Sequence, residues 1–442
     1  MHRASGSPPP FGHDLRVLRS HLPDLTPLRE VPAYRRLWAG FTLSNIGSQM
    51  AVVAIGLQVY DITGSTASVG LVGFFALVPL VVMGLYGGSL SDHHDRRSVA
   101  LLANLVAWLT SIACAVQAWM GNTNVLVLYL LVAVWSGAFG VSSPARSSIY
   151  PRILPREQLP AANALGVFAM SAAMMLGPLL AGLLIDWGGY GVAYTVDAVV
   201  TTAALWGLWR LQPLPPERHE EGGATRAGFG SVVDGFRFLR TAPNVRMTFV
   251  ADIAAMLLAQ PRVIFPAAGA VILGGGARTV GYLYAAGAVG AVLATLASGR
   301  LGHVRHQGLA IMVSIVGWGL GIAGLGVALL GAGNWLTPEQ ALWGALAAMA
   351  FAGGSDAVSA VFRTTILQSA APDRMRGRLQ GVFIVVVAGG PRVGELLGGV
   401  VADRIGEGWM AVSGGLACLV AIGVLSFRHP HFLRYDARHP TP

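Results

Sequence analysis

Two stretches of this chain read almost as one: GPLLAGLLID at residues 177–186 and GELLGGVVAD at residues 394–403. A shift of 217 residues lays the second on the first, matching Gly177, Gly182 and Asp186 with Gly394, Gly399 and Asp403. The same shift brings Arg146 onto Arg363 and Pro155 onto Pro372. Each stretch lies within an apolar run of about 20 residues, the length an α-helix needs to cross a hydrocarbon core of about 30 Å. Working outward, such runs occur at 37–60, 67–90, 98–120, 124–144, 161–185 and 190–210, then at 246–271, 279–300, 308–331, 340–362, 379–402 and 408–427. The expectation is an all-α membrane protein of twelve transmembrane helices, built as two parallel six-helix repeats. Repeats of this kind are a hallmark of secondary transporters, whose binding site lies near the midplane between the halves.

Composition agrees with that class. Of 442 residues, 54% are hydrophobic and only 12% charged, against roughly 25% charged in soluble proteins. All 30 basic residues are arginine. Without lysine there is no phosphate-binding loop ending in Gly-Lys-Ser/Thr and no Schiff-base chemistry. Cys114 and Cys418 fall inside apolar spans, without disulfide or metal spacing, and read as packing residues. His93, His94, His429, His431 and His439 likewise lack metal-ligand spacing, so no metal site and no cofactor are expected. Gly319, Gly321 and Gly324 fit a GxGxxG pattern, but inside a span with no preceding strand, and read as a packing surface. No Ser-His-Asp, HExxH or paired-acid constellation points to an enzyme.

The arginines give the orientation. With both termini in the cytoplasm, inside segments carry 26 arginines and outside segments carry Arg262, Arg278 and Arg404, while Arg392 lies within a span. The net charge of +9 therefore marks a membrane face and no nucleic-acid surface. Residues 1–36 read as a cytoplasmic tail, 37–211 as the first bundle and 212–244 as a cytoplasmic linker. Residues 245–427 follow as the second bundle and 428–442 as a second tail. In the linker, Val232, Val233, Phe236, Phe238 and Leu239 beside Arg237 and Arg240 read as an amphipathic helix on the membrane surface or as a simple tether.

The loop between spans 2 and 3 runs Gly88, Ser89, Leu90, Ser91, Asp92, His93, His94, Asp95, Arg96, Arg97. A glycine, a carboxylate four residues later and an arginine pair resemble motif A of the major facilitator superfamily, with His93 at a usually basic position and Asp95 at a usual glycine. The resemblance implies a cytoplasmic gate in which Asp92 faces the start of span 11 near Arg376 and Arg378; an anion beside arginines and a helix N-terminus is physically favourable. Gly177, Pro178 and Gly182, with Ala181 between them, resemble motif C of proton-exchanging exporters. Small residues let helices approach and proline bends the span. Small-xxx-small spacing at Gly84/Gly88 and Gly394/Gly398 predicts that spans 2 and 11 pack there. The stretches YRRLWAGFTLSNIGSQM (34–50), SPARSSIYPRILPREQLPAANAL (143–165) and DIAAMLLAQPRVIFPA (252–267) resemble the enterobactin-exporter branch over nearly the whole chain.

Ionisable groups inside the bilayer cost roughly 2.5–3.5 kcal/mol each on insertion scales, so those retained are site candidates. Asp252 in span 7 and Asp356 in span 10 are candidate proton carriers, and the resemblance implies that both spans line the cavity. Glu395 joins them, three residues from Arg392 and able to pair with it on one helix face. Asn45, Gln49, Gln260, Arg262 and Arg392 are candidate cavity residues, while Asp197 in span 6 reads as structural. Together these features predict a cytoplasmic-membrane exporter, by resemblance monomeric, whose partners are an amphipathic small molecule, protons and the lipid bilayer. A nutrient importer, or a sensor or scaffold without transport, is the alternative reading.

Overall fold

The computed structural model describes residues 24–215, 237–297, 304–370 and 373–439; within these, the side chains at 85, 88, 89, 91 and 92 and most of those from 373 to 388 fall outside the description. The linker segment 216–236, with most of the expected amphipathic helix, also lies outside the described residues.

The first half holds α1 (Pro32–Thr63), α2 (Thr66–His93), α3 (Arg96–Trp119) and α4 (Val125–Ile153), then one continuous helical stretch, Leu159–Trp209. That stretch is broken at Gly189, whose φ of 76° suits glycine alone. Its two rods, residues 159–188 and 190–209, are α5 and α6. The second half holds α7 (Pro243–Leu258), α8 (Gly276–Leu296), α9 (Gln307–Gly331), α10 (Pro338–Ala370), α11 (Asp373–Ile405) and α12 (Glu407–Arg428). Ten helices among the described residues, counting the stretch through α5 and α6 once, are long and apolar enough to cross a membrane. The exact number of twelve crossings rests on the sequence reading.

Packing repeats between the halves. Helix α2 packs on α4 as α8 packs on α10, α3 on α4 as α9 on α10, and α1 on the α5 rod as α7 on α11. The halves meet along two seams, α2 against α11 and α5 against α8. Glycines set the closeness of these seams. A Cβ on Gly70 would sit 2.6 Å from the Glu395 carbonyl oxygen, and one on Gly182 would sit 2.6 Å from that of Ala277. Gly281 in turn lies against the Pro178 carbonyl.

The small-residue expectation for α2 and α11 is corrected here. Gly84 faces Gly140 of α4, while Gly394 abuts Met256 of α7 and Gly398 abuts Val263 and Met410. The seam runs antiparallel, with Thr66 at Gly399, Gly70 at Glu395 and Leu77 at Gly389, so Gly84 falls well short of the level of Gly394. The GxGxxG glycines do pack: Gly319 lies against Gly415 of α12, and Gly321 against Ala348 and Ala352 of α10.

Call the end where α1 begins and α12 finishes the tail side, and the opposite end the far side. The α5–α8 seam is tight on the far side at Pro178, Gly182, Ala277 and Gly281. Three turns nearer the tails on the facing surfaces, Val167 and Val292 are exposed, so the two helices diverge toward the tail side.

Candidate functional site

Helix α7 is not continuous. After Leu258 the chain leaves helical geometry at Ala259 (φ −128°, ψ 47°), then resumes as a 3-10 turn, Arg262–Ile264, a short helix, Phe265–Ala267, and a π segment, Ala268–Ile272. Pro261 and Pro266 account for the break, since each removes a backbone donor from the helical ladder. In a membrane the freed carbonyls need internal donors. The indole N–H of Trp318 on α9 supplies one, donating to the Ala259 carbonyl at 3.1 Å.

Beside this break lies a cavity of about 90 Å³ whose wall includes Asp252, Gln260, Arg262, Trp318, Asp356 and Arg363. Arg363 is its hub. One guanidinium nitrogen is ion-paired with Asp252, and another donates to Asp356 at 3.1 Å. Arg363 and Asp252 are almost sealed, with 11% and 6% of their side chains exposed, while Asp356 offers 45% of its own. A carboxylate–guanidinium pair in a low-dielectric setting is held by charge-assisted hydrogen bonds, and removing either partner strands the other. The arrangement thus joins one closed carboxylate and one accessible carboxylate through a single cation. The apolar run of span 10 ends at residue 362, but α10 runs on to Ala370 and carries Arg363 two turns past Asp356. Arg363, expected only as a repeat-related cytoplasmic arginine, is therefore at the centre. Trp318 was not foreseen, and its neighbours Gly317 and Gly319 were the only sequence signal of a bulky ring set among small residues.

Arg392 and Glu395 pair at 3.5 Å on α11, as their spacing predicts. They sit apart from the Arg363 cluster, in the wall of a smaller cavity of about 40 Å³ that they share with Arg262 and Tyr284. Glu395 lies against Gly73 on the far-side seam: a Cβ there would sit 2.7 Å from its Oε2. Arg262 lines both cavities and bridges the two groups of candidates. Asn45 and Gln49 do not join either; Gln49 packs its stem on Gly177, and Asn45 sits one turn earlier on the half-buried face of α1.

Gly177, Pro178 and Gly182 are contact points. Gly177 receives Ile46 and Gln49 of α1, and Gly182 receives α8. The far side is also latched by two repeat-related aspartates. Asp186 pairs with Arg278 at 2.7 Å, and Asp403 accepts from Ser65 Oγ at 2.6 Å and the Thr66 amide at 2.7 Å, at the start of α2. Thr66 Oγ1 donates further to Glu407 at 2.8 Å.

The gate expected at the α2–α3 loop lies outside the described residues, while its neighbours Asp95, Arg96 and Arg97 tie the loop to the first half. The side chain of Asp92, and those of Arg376 and Arg378, lie outside the described residues, and Gly88 lies within α2. Arg97 donates to the Leu208 and Trp209 carbonyls at the C-terminus of α6, at 3.2 and 2.7 Å, where a cation suits the helix dipole. Arg96 donates to the Ser148 carbonyl of α4 at 3.2 Å. Asp95 caps α3, accepting from the Ser98 amide at 2.9 Å and from the Leu214 amide. Its partial burial works against its charge, but these hydrogen bonds outweigh that and hold its carboxyl below the usual range. The Asp-x-x-Ser spacing was the legible sign of this cap. Arg146, finally, places its guanidinium 4.7 Å from the centre of the Phe41 ring.

The chain can now be set beside known proteins. The family model described as transmembrane secretion effector matches residues 23–438. The enterobactin exporter EntS of Citrobacter koseri (strain ATCC BAA-895 / CDC 4225-83 / SGSC4696) is 29% identical over 421 residues, covering 93% of this chain and 97% of that one. EntS of Escherichia coli O1:K1 / APEC is 29% identical over 419 residues with the same coverage. Among solved structures, a bacterial homologue of the iron transporter ferroportin in its inward-facing state shares the fold. It has a TM-score of 0.68 at 14% identity and covers 91% of this chain and 98% of that one. The protein is a multi-pass membrane transporter, and the chain belongs to the transmembrane secretion effector family of the major facilitator superfamily.

Proposed function

We propose that this transporter exports a small amphipathic organic compound, siderophore- or drug-like, in exchange for protons, from a cytoplasmic membrane in which both termini face the cytoplasm. The observation that carries the reading is the Arg363 cluster: two intramembrane carboxylates, one closed and one open to a cavity, held by one arginine at a helix break. Asp356 is the accessible acceptor. As a carboxylate it accepts a hydrogen bond from a substrate hydroxyl or ammonium; once protonated it loses that acceptor strength, so substrate and proton compete for one group. Asp252 stays with Arg363 and keeps the cation compensated as Asp356 changes charge. The seam that is tight on the far side and divergent on the tail side supports a site reached from the cytoplasm in this state, as loading of an exporter requires. The two EntS relatives support a siderophore-like substrate, and the mixed cavity walls, with Met256, Ile315 and Trp318 beside the charged groups, suit an amphipathic one.

The test uses inside-out vesicles energised to a known proton gradient, with a dye reporting lumenal pH while siderophores and amphipathic antibiotics are added. Substrate-dependent collapse of the gradient is expected, and its loss in Asp252→Asn and Asp356→Asn. Uphill transport by both variants with unchanged pH dependence would sink proton coupling at this cluster. Binding of a compound without any flux would support the sensor reading instead.

A further inference from the structure

Beyond the Arg363 cluster and the Arg392–Glu395 pair, one further intramembrane carboxylate stands among the described residues. Asp197, on α6 in the first half, is only 2% exposed, and among the described residues no arginine pairs with it. Its partners are hydroxyls: Thr201, one turn along, donates to Oδ1 at 3.4 Å, and Ser111 of α3 hydrogen-bonds to it. Helix α1 makes room for it with Gly47, where any Cβ would overlap Oδ1. The carboxylate lines a cavity of about 50 Å³ with Ser48 of α1, Thr110, Ser111 and Cys114 of α3 and, from across the seam, Arg392 of α11. That volume and polarity are enough for a water.

We propose that Asp197 is a second proton-binding site of the transporter, in the half opposite the Arg363 cluster. Placing an unpaired carboxylate in a membrane core is costly, and hydroxyl donors offset only part of that cost. A group in this position meets the cost by taking a proton, and the cavity gives the proton a place from which to arrive. The titratable groups around it are Cys114 of α3, Tyr194 on its own helix and, in the cavity wall, Arg392; α1 presents Gly47, Ser48 and the apolar Ala51, Val52 and Ile55. Arg392 makes the site more than local. It lines the cavity of Asp197 and also the cavity of Glu395 and Arg262, and it lies on the far-side seam against Gly73. Asp197 thus shares its cavity with an arginine at the contact between the halves. By linkage, proton binding and far-side opening bias one another.

Proton binding at Asp197 stands apart from the export reading, and only its part in transport rests on it. It is tested on the purified full-length protein without substrate, by infrared spectroscopy of the protonated-carboxyl C=O band across about pH 5–9. A band that grows on acidification is expected, absent in Asp197→Asn and retained in Asp252→Asn. In Arg392→Gln its midpoint should move up, because the cavity then lacks a cation that favours the carboxylate. If Asp197→Asn does not fold, Thr201→Val serves: losing a donor to the carboxylate should also raise the midpoint. A band untouched by Asp197→Asn overturns the proposal. So does one lost in that variant yet constant with pH, which marks a permanently protonated structural group. Loss of the band in sodium chloride but not in choline chloride overturns it in favour of a sodium site. Persistence of the band in a protein that shows no proton-coupled flux would leave this site standing and bring down the export reading alone.

Discussion

Arg146 and Arg363 occupy the same place in the two halves, one repeat of 217 residues apart, and do opposite things. Arg363 faces carboxylates on α7 and α10; Arg146 lies over the ring of Phe41 on α1. The backbone has kept the position while the surroundings have diverged, charged in the second half and aromatic in the first. At this depth the repeat reports where a helix faces inward, and the neighbours decide whether its arginine can answer to a proton.

The largest expected effect tests that difference directly. Arg363→Met strands Asp252 in the bilayer core, and breaking a buried pair costs about 3–5 kcal/mol. Arg146→Met trades a cation–ring contact for an apolar one, at about 0.5–2 kcal/mol. Thermal melting in detergent should therefore separate the variants clearly, and Asp252→Asn combined with Arg363→Met should recover part of the loss. Equal melting shifts would show that the two arginines play the same role, and the comparison would fail.

The glycine seams come next, because they too form a repeat-related pair. Gly182→Leu on α5 and Gly70→Leu on α2 each push a side chain into a carbonyl of the other half. Overpacking of this kind costs about 1–3 kcal/mol where the structure cannot yield. Here it can yield by parting the halves, so spin labels across the far side should report longer distances in both variants. Transport should fall in both, since the far side can no longer close. A change in one seam alone would show that the two seams do not move together.

Much of this was legible beforehand, and for physical reasons. Helix positions follow from apolar length, and the repeat follows from glycines that must sit at helix crossings. Asp252 and Asp356 stood out because charge in lipid is rare. Their partner did not, because Arg363 lies beyond the last apolar residue of its span, where hydropathy reads loop and the helix in fact continues. The mistaken pairing of Gly84 with Gly394 has a similar origin: spacing along one helix shows that some neighbour comes close, but not at which level. Asn45 and Gln49 stand out by polarity and by their one-turn spacing, neither of which says which way a side chain faces. Asp95 replaced an expected glycine and proved to be a helix cap, a role its Asp-x-x-Ser setting spelled out.

A smaller effect divides the far-side aspartates. Asp186 and Arg278 form an exposed pair, with 40% and 53% of their side chains open, and such pairs contribute about 0–1 kcal/mol. Asp403, the repeat counterpart, satisfies a backbone amide at the start of α2, and losing a cap of that kind costs about 0.5–2 kcal/mol. Asp403→Ala should therefore weaken far-side closure more than Asp186→Ala, read as faster cysteine labelling from the far side. The reverse order would show that the ion pair is the stronger latch.

The smallest effect concerns the C-terminal tail, where Arg305, ahead of α9, grips Asp436 through two nitrogens at 2.9 and 2.7 Å. That hydrogen bonding, with the Arg438 amide, holds the Asp436 carboxyl well below the usual carboxylate range. A group depressed on folding contributes in full above its unfolded value and loses the contribution only as pH falls through its folded one. Tail docking should therefore be level from about pH 8 to pH 5 and weaken only below the ordinary aspartate value of about 3.9. Hydrogen exchange over the tail measures it, and Asp436→Asn should show raised exchange at every pH in that window. Because the pair is exposed, high salt should mimic the variant in part, whereas the sealed pair of Arg363 and Asp252 should not respond to salt. A salt response at Arg363 equal to that at Arg305 would mean that the cluster in the second half is as open as the tail, and the contrast with Arg146 would lose its physical basis.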